Sequence, residues 1–255
     1  MITNYLEILT LAIVQGVSEF LPVSSSAHLI VFSNIINFSN KSLIFDVGLH
    51  LGSLLAVLFY FRKELINISN NKKLFYLIIF GSIPLILFGY IFYSSGIINS
   101  FRNLQTIAWT TLIFGLLMYF ADTFKIKKNL QNDLTIKNIL IIGILQVVAI
   151  IPGVSRSGIT ITAGRFLNFD RYDSTKISFY LSIPALLGAS VLTLKDAINQ
   201  SFEINFLLII SVILSFIFSY ITIKYFLIYT KKFSLKFFVI YRIILSIIIF
   251  TIIYY

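Results

Sequence analysis

The chain contains no cysteine, so disulfides and thiolate metal centres are excluded. Histidine occurs only as His28 and His50, which excludes a histidine-rich metal centre. Charge is also scarce: 12% of residues are Asp, Glu, Lys or Arg, against about 25% in a soluble domain. No Walker phosphate loop, dinucleotide fingerprint or zinc-protease motif is present. The N-terminal Met1-Ile2-Thr3-Asn4 lacks a basic region and no small-residue cleavage site follows, so no cleaved signal peptide is expected. What remains is hydrocarbon. Apolar residues make up 58% of the 255, against about 45–50% in soluble domains. The expected class is an all-α integral membrane protein with a single membrane domain over 1–255. The net charge of +10 does not point to nucleic acid, because the cations sit in short loops between apolar runs.

Six apolar runs are long enough to span: 43–61, 74–93, 104–121, 177–194, 206–223 and 237–255. Each approaches the ~20 residues that a bilayer core of ~30 Å requires. Two further apolar regions are interrupted, 5–37 at Pro22-Val23-Ser24-Ser25-Ser26 and 138–167 at Pro152-Gly153. Their halves are short for a crossing, so each reads as a re-entrant helix-loop-helix hairpin, whose irregular backbone must be surrounded by protein or a watery cavity. Fifteen of the 20 Lys and Arg then fall on one side and Lys41, Arg102 and Lys195 on the other, while Arg156 and Arg242 lie inside apolar segments. The positive-inside rule makes the first side cytoplasmic and both termini extracytoplasmic. The first hairpin enters from outside and the second from the cytoplasm. Two full crossings in place of a hairpin would give the same parity.

An internal repeat runs at an offset of 131 residues: Gln15, Val17, Val23, Ser24 and Ser26 match Gln146, Val148, Val154, Ser155 and Ser157. Repeat one covers 1–122 and repeat two 134–255. Each holds one hairpin and three spans, so the halves are inverted, an arrangement used by transporters with mid-membrane sites. Ser82-Ile83-Pro84 and Ser182-Ile183-Pro184 are out of that register and carry no weight as a repeat.

The segment Pro152-Gly153-Val154-Ser155-Arg156-Ser157-Gly158-Ile159-Thr160 concentrates the chemistry. An ionisable residue at membrane depth is costly and marks a functional site by default. The Pro-Gly break frees backbone N–H groups at a new helix start, a ready anion site, and Arg156 adds a planar fork suited to phosphate. In the first hairpin Gln15 and Glu19 share a helix face, Ser24 can cap the next helix, and Ser25 and His28 share a face of it. Two helix N-termini meeting near the midplane would surround a phosphorylated group with one guanidinium, hydroxyls, one carboxylate and one imidazole. Plainer readings compete: Arg156 as a structural partner of Glu19, His28 bonded to a helix carbonyl, and Asp46 with His50 as a packed polar pair rather than catalytic. A lipid-phosphate flippase or ion-coupled carrier is the rival class, although a carrier needs no nucleophile.

These residues closely resemble the undecaprenyl-pyrophosphate phosphatase family, also called the bacitracin-resistance proteins, over essentially the whole length. The carriers are Gln15 to Leu29, Phe45 to Val57, Pro152 to Thr160 and Ser178 to Pro184. The family has Glu or Gln at the position of Gln15, so Gln there leaves Glu19 as the main acid. The resemblance implies hydrolysis of undecaprenyl pyrophosphate to undecaprenyl phosphate and inorganic phosphate, recycling the lipid carrier for cell-wall synthesis. It implies a divalent cation, Mg2+ or Ca2+, and a site open to the extracytoplasmic side of a bacterial inner membrane. The roles that follow are expectations. Glu19, Ser25, His28 and Arg156 are catalytic, with Ser25 or a water as nucleophile and His28 or Glu19 taking the proton. Ser24, Ser26, Gly153, Ser155, Ser157 and Thr160 bind substrate, and Glu19 and Gln15 hold the cation. The expected partners are a polyprenyl pyrophosphate lipid and membrane lipids, with homodimerisation open and no nucleic acid.

Overall fold

The structure, a computed structural model, describes residues 2–35, 43–66, 72–198 and 206–254. Their regular structure is helical, without strands, apart from an isolated bridge between Lys128 and Phe169. In chain order the helices are α1 Ile2–Ser18, α2 Ser25–Ile35, α3 Leu43–Tyr60, α4 Arg62–Ile66, α5 Lys72–Ser95, α6 Leu104–Asp122, α7 Leu130–Asp133, α8 Ile136–Val147, α9 Arg156–Phe166, α10 Arg171–Ile198, α11 Phe206–Lys232 and α12 Lys236–Tyr254. Five of them, α5, α6, α10, α11 and α12, are long and apolar enough to cross a membrane. This is a multi-pass membrane protein. The expected span 43–61 forms α3, whose described apolar stretch Phe45–Tyr60 is shorter than the other five. At 1.5 Å per residue it covers roughly 24 Å. Lys41 and Tyr255 lie outside the described residues.

Two helices overrun the apolar stretches that announced them. α10 starts at Arg171 and α11 ends at Lys232, both in charged sequence. Backbone hydrogen bonding continues a helix regardless of side-chain polarity, so these helices run on past their apolar stretches into sequence rich in lysine and arginine. At that end Asp122 joins four elements. Its carboxylate accepts from Arg171 Nε at 2.6 Å and from the Leu235 N–H at 3.1 Å, and it lies 3.7 Å from Arg165 Nε. The Arg165 guanidinium, almost fully buried, also donates to the carbonyls of Phe169 and Phe124.

The packing has the polarity expected in lipid, where no hydrophobic force drives helices together and small residues let them approach. Ile79, Leu87, Ile213 and Ile244 face outward, whereas Ser53, Ser211, Ser215, Ser219 and Ser246 are fully buried. α3 lies along α11 through a row of such residues: Ser53 Oγ is 3.1 Å from Ser215 Oγ and 3.0 Å from Ser219 Oγ, and Ser215 donates to the Leu49 carbonyl at 2.7 Å. α1 packs on α11 at Gly16, where a Cβ would lie 2.7 Å from Phe218 Cβ. α8 packs on α5 at Gly143, where a Cβ would lie 2.1 Å from the Gly81 carbonyl oxygen.

The two interrupted regions are helix–turn–helix units with the same local form. α1 ends at Ser18, residues 19–24 turn, and α2 begins at Ser25. α8 runs into a 3-10 turn over Val148–Ile150, and α9 begins at Arg156. The residue before each new helix is a serine in the left-handed region, Ser24 at φ 74° and Ser155 at φ 71°. Each caps its helix: Ser24 Oγ accepts from the Ala27 N–H at 3.4 Å and Ser155 Oγ from the Gly158 N–H at 3.1 Å. Each also lies 3.2 Å from the hydroxyl two residues on, Ser26 and Ser157 respectively. Positive φ in a non-glycine residue costs about 1–2 kcal/mol.

The Gly143 contact sets a measurable expectation. Gly143→Ala drives a methyl into the α5 backbone and should destabilise by about 1–3 kcal/mol, as overpacked cores do. Gly89, whose Cβ would meet nothing within 4 Å, is the matched control: Gly89→Ala should be neutral or slightly stabilising. Thermal unfolding in one detergent, followed by circular dichroism, compares them.

Candidate active site

The Glu19 carboxylate stands just past the end of α1, its amide still bonded to the Gln15 carbonyl at 2.9 Å. Both of its oxygens are engaged. Oε1 accepts from Arg156 Nη2 at 2.9 Å, across from the second turn. Oε2 accepts from Ser25 Oγ at 2.7 Å and from Gln15 Nε2 at 3.1 Å. The side chains of the Arg156–Glu19 pair retain 11% and 10% exposure, so the pair is mostly desolvated yet reachable. Arg156 Nη1 donates to the Ser178 carbonyl at 3.1 Å, and its guanidinium carbon lies 6.0 Å from the centre of the Phe20 ring.

Gln15, Glu19, Ser25 and Arg156 are thus brought together, and His50 joins them. Its Nδ1 is 3.4 Å from Gln15 Nε2. The sequence paired His50 with Asp46, which stays close enough to interact with it electrostatically; Gln15 is a further neighbour. His28 is oriented elsewhere. Its Nδ1 is 2.7 Å from the Ser24 carbonyl, which can only accept, so Nδ1 carries a proton. Its Nε2 bonds the Tyr241 hydroxyl of α12, and the two rings are stacked with centroids 5.7 Å apart. Both ring nitrogens of His28 are thus engaged away from Glu19, Ser25 and Arg156.

The remaining expected residues divide by exposure. Ser26 is exposed and Ser25 half-buried, so both hydroxyls can meet a ligand. Ser24, Gly153, Ser155, Ser157 and Thr160 are buried. Ser157 Oγ donates to the Leu21 carbonyl at 2.7 Å, tying the second turn to the first. Thr160 Oγ1 lies 2.7 Å from Ser178 Oγ and 2.8 Å from the Arg156 carbonyl. Gly153, at φ 91°, leaves room for Thr110, whose hydroxyl would be 2.1 Å from a Cβ there; Thr110 donates to the Pro152 carbonyl at 2.7 Å.

Three neighbours of the site were not assigned a role from sequence. Ser178 entered only as the first residue of the Ser178 to Pro184 stretch that carries the resemblance. Tyr241 is one aromatic among many. Arg242 had a signal, the cost of charge in an apolar run, which applies to it as it does to Arg156. It is fully buried and bonds carbonyls of both turns, including Pro22 at 3.3 Å and Gly153 at 2.8 Å.

The donor set admits a hard cation. Among the described residues no three His, Cys, Asp or Glu cluster for a metal. Gln15 Oε1, however, is buried without a partner beside the Glu19 carboxylate. One carboxylate and one free amide oxygen match the sparse protein ligation of Mg2+ at phosphate sites, where the substrate's own oxygens complete the shell.

Comparison with known proteins gives the family. The profile of the family described as bacitracin resistance protein BacA matches residues 8–248. A protein of Pelagibacter ubique named undecaprenyl-diphosphatase is 59% identical over 213 residues, 83% of each chain. Proteins of the same name from Alteromonas mediterranea and Elusimicrobium minutum are 40% and 42% identical, over 78% and 77% of this chain and 80% of theirs. Both signature turns, with Glu19, Ser25 and Arg156, lie inside the matched stretch, and the chain belongs to the BacA family of bacitracin resistance proteins.

Proposed function

We propose that this chain is an undecaprenyl-diphosphatase. It hydrolyses the anhydride of undecaprenyl pyrophosphate, releasing undecaprenyl phosphate and inorganic phosphate, and so recycles the lipid carrier for cell-wall synthesis. The observation that carries the reading is the single Glu19 carboxylate, bonded on one oxygen by Arg156 of the second turn and on the other by Ser25, which follows the first. In this reading α3 is the sixth span and the α1–α2 and α8–α9 units are re-entrant hairpins of two inverted repeats. The matching serine geometry of the two turns supports that arrangement. The protein sits in the bacterial inner membrane with its site opening to the extracytoplasmic side, as the positive-inside count supports.

The residues then act as follows. A guanidinium has five N–H groups, and the two bonds of Arg156 leave three for the phosphates. It stabilises charge on the transferring phosphoryl oxygens. The N-terminus of α2, with Ser26 exposed on it, adds donors at the same end. Ser25 Oγ attacks the terminal phosphorus and its proton passes to Glu19 along the 2.7 Å bond already present. The bond from that phosphorus to the bridging oxygen breaks, and undecaprenyl phosphate leaves. Water then attacks the phosphoserine, Ser25 recovers its proton from Glu19, and phosphate departs. The Ser25–Glu19 contact favours Glu19 as the base, and the two bonds of His28 favour a positioning role for that ring. Glu19 and Gln15 would hold a divalent cation with the substrate's oxygens, and that ion would neutralise pyrophosphate charge. The buried Ser155, Ser157 and Thr160 shape the turn that presents Arg156.

Phosphate release from a prenyl pyrophosphate by the purified protein in detergent tests the reading: release should require Mg2+ or Ca2+, stop with EDTA, and return when the cation is restored. Arg156→Lys keeps the charge but loses the fork, and turnover should fall by about 10²–10³-fold; near-normal kcat would refute the assignment. Glu19→Gln should lose about 10²–10⁴-fold. Acid quenching of a reaction with substrate labelled at its terminal phosphate should leave label on Ser25, located by peptide mass spectrometry. A Ser25→Ala enzyme retaining more than a tenth of the wild-type kcat would instead make water the nucleophile. Gln15→Leu, which removes the free oxygen, should raise the cation concentration needed for half-maximal rate, whereas Gln15→Glu should lower it.

A further inference from the structure

Arg242 donates to five main-chain carbonyls and faces no carboxylate among the described residues. Nε bonds Thr111 O at 3.1 Å, Nη1 bonds Pro22 O at 3.3 Å and Val154 O at 3.0 Å, and Nη2 bonds Thr110 O at 3.4 Å and Gly153 O at 2.8 Å. Those bonds use all five donors of a guanidinium. The acceptors belong to α6 and to both turns. Pro22 lies midway between Glu19 and Ser25, and Gly153 and Val154 immediately precede Ser155 and Arg156.

For stability alone this is a poor use of a charge. A buried ion without a counter-ion forfeits its hydration, and apolar replacements of buried ionic groups are often neutral or stabilising. No apolar residue, however, could join the carbonyls of two separate turns. We propose that Arg242 is a positioning residue of the phosphatase site: by binding the Pro22, Gly153 and Val154 carbonyls together it fixes the separation of the two turns, and with it the placement of Arg156 against Glu19 and Ser25. The inference rests on the phosphatase reading above. Arg242 touches no reacting atom. It acts through the backbone that carries those that do.

The experiment is steady-state phosphate release from a prenyl pyrophosphate by full-length protein in detergent, with each kcat normalised to the folded, monodisperse fraction. A displacement on the order of 1 Å costs about 10²-fold in rate, so Arg242→Met should lower kcat by about that factor with KM within about twofold. Arg242→Lys offers three donors to five acceptors and should lose about tenfold. A gentler variant covers the case in which both fail to fold. A Cβ on Gly115 of α6 would lie 3.2 Å from Arg242 Cβ and 3.5 Å from Nε, so Gly115→Ala should nudge the guanidinium and lower kcat by about threefold. Gly89→Ala should leave kcat unchanged. A purely structural Arg242 would change the folded fraction but not kcat per folded molecule, and that result, or a rise in KM at constant kcat, overturns the proposal. Absence of release by the wild-type protein with either cation would overturn the phosphatase reading, and the positioning role with it; wild-type release with unaltered kcat in the variants overturns the positioning role alone.

Discussion

A helix broken within a buried interior leaves peptide groups that the protein must satisfy itself. That constraint governs the centre of this molecule. The two turns satisfy one another and are completed by α6 and α12. Ser157 of the second turn donates to Leu21 of the first, Thr110 donates to Pro152, and Arg242 collects carbonyls from both turns at once. Ser24 and Ser155 hold left-handed backbone inside this framework and cap the helices that follow. The spacing of Glu19, Ser25 and Arg156 follows from how the main chain is tied down.

The same framework separates frame from reach. Hydroxyls with protein partners on every side, such as Thr160 and Ser157, are buried, while Ser25 and Ser26 at the start of α2 remain accessible. Both turns carry signature serines, yet the accessible ones belong to the first. The second contributes the guanidinium. Gln15 and Gln146 show the same asymmetry: Gln15 bonds Glu19, whereas Nε2 and Oε1 of Gln146 are buried without a hydrogen-bond partner among the described residues.

The breaks themselves were legible in the sequence, because Pro22 and Pro152-Gly153 interrupt apolar runs that nothing else interrupts. The Glu19–Arg156 pairing was legible as one of two readings, since an acid offsets a charge held away from water and few acids exist. The contact between Gln15 and His50 was not. It joins α1 to α3, 35 residues apart, and the local spacing of Asp46 and His50 suggested a different partner. The role of Thr160 was equally hidden, because membership of a motif does not say which way a hydroxyl points. Arg242 was noted inside an apolar segment yet left unassigned, because its partners are main-chain carbonyls and any residue type supplies those. Helix ends were the least legible: α10 and α11 continue into charged sequence that hydropathy cannot read as span.

Ser25 and Arg156 occupy the same place in the two turns, each the first residue of its helix after a left-handed serine. Both meet on the one Glu19. Two identical halves facing each other across an axis could present only a pair of hydroxyls or a pair of guanidiniums there, and two guanidiniums would repel. Here the two turns belong to one polypeptide, so that symmetry restriction is absent and each turn can vary alone. A nucleophile and its electrostatic complement can then confront each other at a single centre, which no assembly of interchangeable subunits could achieve at that spot.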